Sequence, residues 1–513
     1  MKNMYFIPFL SFFLPLFSGC SPINQTQAGS QAQQDNDAIV RKAVAGQLYK
    51  KPEELTSDDY TNLINLDLSY PAHSAISNIE PLAKLTNLRF LSLSNTQITN
   101  IEPLVGLTNL QVLSFFNTQV SDIGPLAALT NLQYLSISET QISNIKPLEK
   151  LTNLRILLLS DTHVSDIKPL EKLINMQRLS LSMQVSNLEP LTGLKNLQSL
   201  GLSNTQVSDI EPLAGLTNLK WLNLARTQVT DISALRKLTN LQTLYLSLTQ
   251  VSDIEPLKGL TKLQELYLAK MPISDIGAMA YLTNLQELGF SSEQISDISA
   301  LSKLTNLQRL RLGIPDISDI GPLASLINLQ ELALRGKKIS DISALSKLTN
   351  LQSLSLNGTQ VEDLRPLDSF INLQRLVLSS TQIKDIRPLV PLINLQILAL
   401  NNTQVGDIGT LAKLTNLKIL YLYNTHVRDI EPLARLTDLQ RLDLTGTQVS
   451  DIKTLAKLTN LQGLTLTNTQ VDDIRPLATL KNLQSLGLRN CKNITDEQVE
   501  DLQEALPELR IQR

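Results

Sequence analysis

Residues 85–104 read Leu85-Thr-Asn-Leu88-Arg-Phe-Leu91-Ser-Leu93-Ser-Asn-Thr96-Gln-Ile98-Thr-Asn-Ile101-Glu-Pro103-Leu104, and the pattern starts again at Leu107. Its opening residue recurs at 85, 107, 129, 151, 173, 194, 216, 238, 260, 282, 304, 326, 348, 370 (a Phe), 392, 414, 436, 458 and 480. Seventeen of the eighteen spacings are 22 residues and one, 173 to 194, is 21. A looser first unit begins at Tyr60, which makes about 20 units. At 513 residues, a length prior of ~100–200 residues per domain would divide the chain into several domains; a register held over about 430 residues replaces that reading with one array.

The spacing dictates the fold. Leu91 and Leu93 alternate with polar neighbours, a period of two, so this segment is a strand with one face buried. Leu85, Leu88, Ile98, Ile101 and Leu104 complete an apolar layer that cannot close on itself. Stacked neighbours close it, which makes the chain an α/β solenoid whose units lean on one another. The strands form a parallel β-sheet on the concave side. At ~4.8 Å per strand, 20 units give a sheet roughly 95 Å long. On the convex side, Asp122-Ile123-Gly124-Pro125-Leu126 and its equivalents predict short 3₁₀ or helical turns, with Asp as cap and Pro in the first turn.

Three polar residues recur with the repeat: Asn at position 3 (Asn87), Thr at position 12 (Thr96, and 13 of 19 units) and Asp at position 16 (Asp122). A polar residue repeated in every unit satisfies backbone groups at a bend. The Asp residues stand singly, 22 apart, without the paired acidic spacing of a calcium loop. The unit at Leu173 carries Ser182-Met183-Gln184 where others have Ser-x-Thr-Gln, so one Thr rung is expected to be lost and the unit to be a weak point. Cys491 takes the Thr position of the last unit and reads as a core thiol.

Helical caps are expected at both ends. From Asp37 to Leu48, the residues Ile39, Val40, Ala43, Val44 and Leu48 share one helical face, and Thr56-Ser-Asp-Asp59 is a capping box. Thr495-Asp-Glu-Gln498 is a capping box that opens a helix with Val499, Leu502 and Leu506 inward, stopped by Pro507. The expected divisions are therefore 1–19 signal peptide, 20–36 lipidated Cys and tether, 37–59 N-terminal cap, 60–490 repeats and 491–513 C-terminal cap.

The beginning reads as an address. Lys2 precedes an apolar run from Met4 to Phe17, too short to span a bilayer and suited to a signal-peptide core. The run ends in Leu16-Phe17-Ser18-Gly19-Cys20, which resembles a bacterial lipobox, with Phe17 as its departure. The resemblance implies lipidation at Cys20 and membrane anchoring; an ordinary secretory signal is the alternative. Ser21–Asp37 is polar and Gln-rich and reads as a tether of roughly 20–24 Å. Ser21 after Cys20 points to an outer membrane or cell surface.

Composition narrows the functions. With 45 Lys+Arg against 48 Asp+Glu, the net charge of −3 supplies no basic field for nucleic acid. Two cysteines, Cys20 and Cys491, and three scattered histidines, His73, His163 and His426, support no disulfide framework, metal cluster or Cys/His nucleophile. No catalytic residue, metal ligand or cofactor is assigned, and an enzyme is not expected.

The unit LxxLxLxx(N/C)xL, with Thr in the Asn place, resembles the leucine-rich repeat. Together with the N-terminal helical cap and the consensus LTNLQxLxLSxTQVSDIxPLA, residues 37–490 resemble the internalin-type bacterial leucine-rich repeat proteins. That resemblance implies a curved horseshoe and a non-enzymatic surface module that binds a partner protein on its concave face. There is no immunoglobulin-like domain after the repeats and no wall-sorting motif, so the identity of the partner does not carry over. A scaffold within the cell's own envelope is the alternative. The 22-residue unit also resembles eukaryotic phosphatase-regulator repeats, against which the export signal argues.

Positions 6, 8 and 10 of each unit face outward from the sheet. Chance would place one or two of the array's 12 aromatics there, and eight occur: Phe90, Phe116, Tyr134, Trp221, Tyr245, Tyr267, Tyr421 and Tyr423. Trp221, Tyr245 and Tyr267 come from consecutive units and form one candidate partner-binding patch, with Glu265 and Glu287 as its polar rim; Tyr421 and Tyr423, beside Ile397 and Ile419, form another. Strands also favour aromatics for their own sake. Four consecutive units break the Thr ladder with Met271, Glu293, Pro315 and Lys337, and the concave face there is charged: Glu265, Glu287, Arg309, Arg311, Glu331 and Arg335. This is the third candidate.

Overall fold

A computed structural model describes residues 29–69 and 73–513; the apolar run, the lipobox and Cys20 lie outside the described residues. Period-two alternation gives 21 short strands among the described residues, from Asn65–Asp67 to Arg510–Gln512. Each is paired in parallel with the next in chain order, in one open sheet. The register is uniform, as in Phe90↔Val112 and Val112↔Tyr134. Opposite the sheet, each unit closes with a 3₁₀ turn of three to five residues such as Gly124–Ala128. The result is a leucine-rich repeat solenoid of horseshoe form, with its core between sheet and turns. Leu85, Leu88, Leu91, Leu93, Ile98, Ile101 and Leu104 are buried, as are their equivalents along the array.

The repeating polar residues form three ladders. All thirteen position-12 threonines are buried, and each Oγ1 donates to the carbonyl three residues earlier at 2.6–2.8 Å. Each position-3 Asn donates from Nδ2 to a carbonyl of the preceding unit, at 2.7–3.3 Å. Each position-16 Asp or Asn accepts, at 2.7–3.0 Å, the backbone N–H two residues on, which is the first of the 3₁₀ turn. The Asp thus caps from two residues ahead of the turn, as an Asx turn.

The Thr ladder depends on the residue before it. Position 11 lies in the left-handed region, φ 52–74°, in every unit whose position 12 points inward, from Asn95 to Asn490. That left-handed residue rotates the chain so that position 12 enters the core. Where it is missing, the strand alternation runs on and position 11 turns inward instead. This corrects the sequence count for three of the four irregular units. Met271 does occupy the Thr place, but Ser292, Ile314 and Gly336 are the buried residues of the next three units, and Glu293, Pro315 and Lys337 face outward. Ile314 is β-branched and resists positive φ. A side chain at Gly336 would meet the Ile314 carbonyl at 2.7 Å, so only Gly fits there. The four units also carry the five-residue strands, Glu265–Ala269, Glu287–Ser291, Arg309–Gly313 and Glu331–Arg335.

The 21-residue unit follows the same logic. Ser182 is buried and its Oγ donates to the Val164 carbonyl, just as Ser292 Oγ donates to the Ile273 carbonyl at 2.6 Å. In the threonine units that carbonyl accepts the backbone N–H of position 13, as in Gln119 to Ile98. The serine hydroxyl thus replaces a backbone bond to the preceding unit, while the threonine rung itself is missing here, as expected.

Both ends are covered. The first helix spans Gly29–Gln47, starting ahead of Asp37, and buries Val40 and Val44 with Ile39, Ala43 and Leu48 alongside. Thr56 and Asp59 form the reciprocal capping box of the helix Ser57–Asn62. At the far end Thr495 caps the helix Asp496–Ala505, but the Gln498 side chain does not close the capping box: it reaches to the unit before the last, donating to the Asp472 carbonyl and accepting from the Ile474 N–H. Beyond Pro507, Arg510–Gln512 adds the last strand. Cys491 is buried, and its thiol donates to the Leu466 carbonyl of the preceding unit at 3.0 Å, where the threonines bond within their own unit.

Candidate functional site

Strand register places Trp221, Tyr245 and Tyr267 on the concave face in consecutive strands. Trp221 and Tyr245 lie with ring centroids 5.8 Å apart and tilted by 55°, and Tyr245 stacks on Tyr267 at 4.5 Å and 2°. All three rings are half-buried. Bare backbone on either side makes room for them. A side chain at Gly289 would come within 2.8 Å of the Tyr267 ring, and one at Gly201 would lie 3.7 Å from Trp221. Aromatic contacts of this kind add ~0.5–1.5 kcal/mol each beyond burial, so the rings form a fixed ladder.

Beyond Gly289 the ladder meets charge. Glu287, expected as a rim residue, is 6% exposed. Its carboxylate accepts from Arg309 Nε, from Arg311 Nη1 at 2.6 Å and from the Tyr267 hydroxyl. Arg311 reaches Glu331 at 3.4 Å with its second nitrogen. Burial pushes the Glu287 carboxyl up, but the hydrogen bonds from Tyr267, Arg309 and Arg311 outweigh it and hold the group below its ordinary 4.5. Burial first, then the bond to Glu287, lifts the Tyr267 phenol far above its usual value; burial, then the charges of Glu265 and Glu287, raises Tyr245. Both phenols stay neutral.

The charged candidate is thereby corrected in part. Glu287, Arg309, Arg311 and Glu331 neutralise one another and continue the aromatic ladder, whereas Glu265 and Arg335 meet no ion-pair partner among the described residues. Trp221, Tyr245, Tyr267 and the Glu287 cluster form one continuous surface. Tyr421 and Tyr423 do not join it. They lie seven strands beyond Tyr267, ~34 Å along the sheet, with Tyr421 in register between Ala399 and Asp443.

Sequence reasoning missed two features. Gly289 is needed for the position of the Tyr267 ring, and the signal was present as a glycine at an outward strand position. An apolar row also runs along the first units, Phe90–Val112–Tyr134–Ile156, each half-buried and in register with the next. The aromatics alone disclosed only part of it.

The chain belongs to the leucine-rich repeat family. The family model for leucine rich repeats (2 copies) matches residues 61–106, 108–150, 195–237, 217–259, 239–281, 327–369, 371–413 and 415–457, more than half of the chain. This scaffold is generally a non-enzymatic platform for protein interaction. Among solved structures, an internalin from Listeria monocytogenes is similar at 29% identity and TM-score 0.50, over 72% of this chain and 97% of that one. A leucine-rich repeat protein of Leptospira interrogans is similar at 21% identity and TM-score 0.51, over 89% and 97%. The Arabidopsis receptor kinase HAESA, solved with the peptide hormone IDA and the co-receptor SERK1, is similar in fold at 19% identity and TM-score 0.62, over 89% and 85%. No curated protein matches the chain. Among the described residues no helix is long and apolar enough to cross a membrane.

Proposed function

We propose that this protein is exported, anchored by lipid at Cys20, and binds a partner protein through its concave face. One observation carries the binding reading: a preformed ladder of Trp221, Tyr245 and Tyr267, backed by the Glu287–Arg309–Arg311 cluster, stands on a sheet face that no other part of the described chain covers. Rigid aromatics with an adjoining polar cluster are the composition of interface hot spots, where truncation costs ~2 kcal/mol or more of affinity. The likeness to an internalin and the signal-like first twenty residues support export, and Cys20 supplies the anchor.

Capture of binding proteins by residues 29–513 tests this, with Trp221→Ala as the discriminating variant. The variant gives up its contact with Tyr245, ~1 kcal/mol of stability, and at least tenfold in affinity. Unchanged affinity overturns the ladder as the site. Fatty-acid labelling that is absent from the wild type, or unchanged in Cys20→Ala, overturns the anchor. Protease shaving of whole cells that spares the array places it inside the envelope instead.

A further inference from the structure

Four consecutive strands carry Arg375, Ile397, Ile419 and Arg441 at the same outward position, in register. Beside them run Val377, Ala399 and Tyr421, with Tyr423 37% exposed at the edge. An apolar island is thus bracketed by two exposed arginines. Some arginines of the array hold a carboxylate: Arg365, Arg387 and Arg475 fold onto Asp363, Asp385 and Asp473 of their own units, and Arg309 and Arg311 share Glu287. Among the described residues Arg375 and Arg441 have no ion pair. The nearest acid in sequence, Asp443, turns its Oδ1 to the Thr445 N–H at 2.9 Å. Lys418 adds a third positive charge beside Ile419.

Resting on the concave face as the binding surface, we propose that this island docks an acidic protein segment with an apolar centre. Any partner that covers Ile397, Ile419 and Tyr421 strips water from the two guanidinium groups beside them. Leaving those charges dry and unpaired is costly, so the partner must bring carboxylates to both ends. The two arginines stand three strands apart, ~14 Å, which an extended chain at ~3.3 Å per residue spans in four or five residues. The fitting segment carries Asp or Glu at that separation, with aliphatic or aromatic residues between.

Selection of a random displayed-peptide library on the immobilised full-length protein tests this, in parallel with Arg375→Glu/Arg441→Glu. Both substitutions are on exposed side chains, and circular dichroism confirms folding; the milder Arg375→Ser/Arg441→Ser replaces the pair if it does not. The expected peptides carry acids four or five positions apart around an apolar centre, bind the variant at least tenfold more weakly, and photo-crosslink to residues 419–423. Recovery of no acidic peptides, or equal binding to the variant, overturns the proposal. Crosslinks at Trp221–Tyr267 overturn it while leaving the concave-face reading intact, and crosslinks confined to the convex turns overturn both.

Discussion

Glu287→Gln isolates the charge at the centre of the concave face. The glutamine keeps size and shape, and one oxygen still accepts. The other becomes an NH₂ that faces a guanidinium donor, so one of the two ionic hydrogen bonds is lost. Breaking a fully buried pair costs ~3–5 kcal/mol. Here the carboxylate side chain is 8% exposed but its arginines are 39% and 53% exposed, so both can regain water. The surviving hydrogen bond and that rehydration reduce the cost to ~1.5–3 kcal/mol, about one hydrogen bond to a charged group. Stability in a solenoid is a sum over neighbours, so the loss should be local: amide exchange across 265–335 accelerates while that across 85–160 does not change. The pH dependence carries a definite sign. The folded-state carboxyl is held below 4.5, so its contribution is complete above that value and fades as the pH falls through it toward the folded value. Wild type should therefore lose exchange protection across 265–335 below about pH 4.5, while Glu287→Gln starts low and shows little change there. A variant within ~0.5 kcal/mol of wild type, the ordinary range for surface changes, would refute the buried cluster, as would acceleration spread evenly along the array.

Thr381→Val removes the Oγ1 that donates to the Leu378 carbonyl at 2.6 Å without changing volume. Leaving that carbonyl unsatisfied in the core should cost ~1–3 kcal/mol in urea unfolding; a neutral variant would show that the ladder is packing alone. Gly289→Ala places a methyl within 2.8 Å of the Tyr267 ring and should unstack it from Tyr245. The near-ultraviolet circular dichroism of tyrosine reads this directly, at a stability cost of ~1–3 kcal/mol for overpacking, and an unchanged spectrum would contradict the stacking geometry.

Most of the fold was legible because each core position repeats about twenty times and its chemistry is averaged over all units. Leu91 and Leu93 as the strand, Asp122 as a cap and Cys491 as a core thiol all follow from position alone. The irregular units were harder for a physical reason. Which residue enters the core after the strand depends on one backbone dihedral, and counting in twenty-twos assumed that dihedral constant. Ile314 was the available warning, since a β-branched residue does not take the left-handed turn that Asn95 or Asn424 takes. The candidate site was legible as positions but not as interactions. Register placed Trp221, Tyr245 and Tyr267 side by side, whereas the burial of Glu287 depends on how two arginines of the next strand fold back over it. The pairing of Arg309 and Arg311, and its absence at Arg375 and Arg441, is a property of side-chain reach that composition does not carry.

The uniform register makes the sheet a graduated ruler. Every concave residue sits at a whole number of strands from every other, each step ~4.8 Å, and the polar ladders close within a unit or on its immediate neighbour. Six steps, ~29 Å, separate Tyr267 from Ile397. Gain or loss of one whole unit between them would change that distance by one graduation without disturbing either patch. The separation between two contact sites can therefore evolve independently of their chemistry, through duplication and deletion of units.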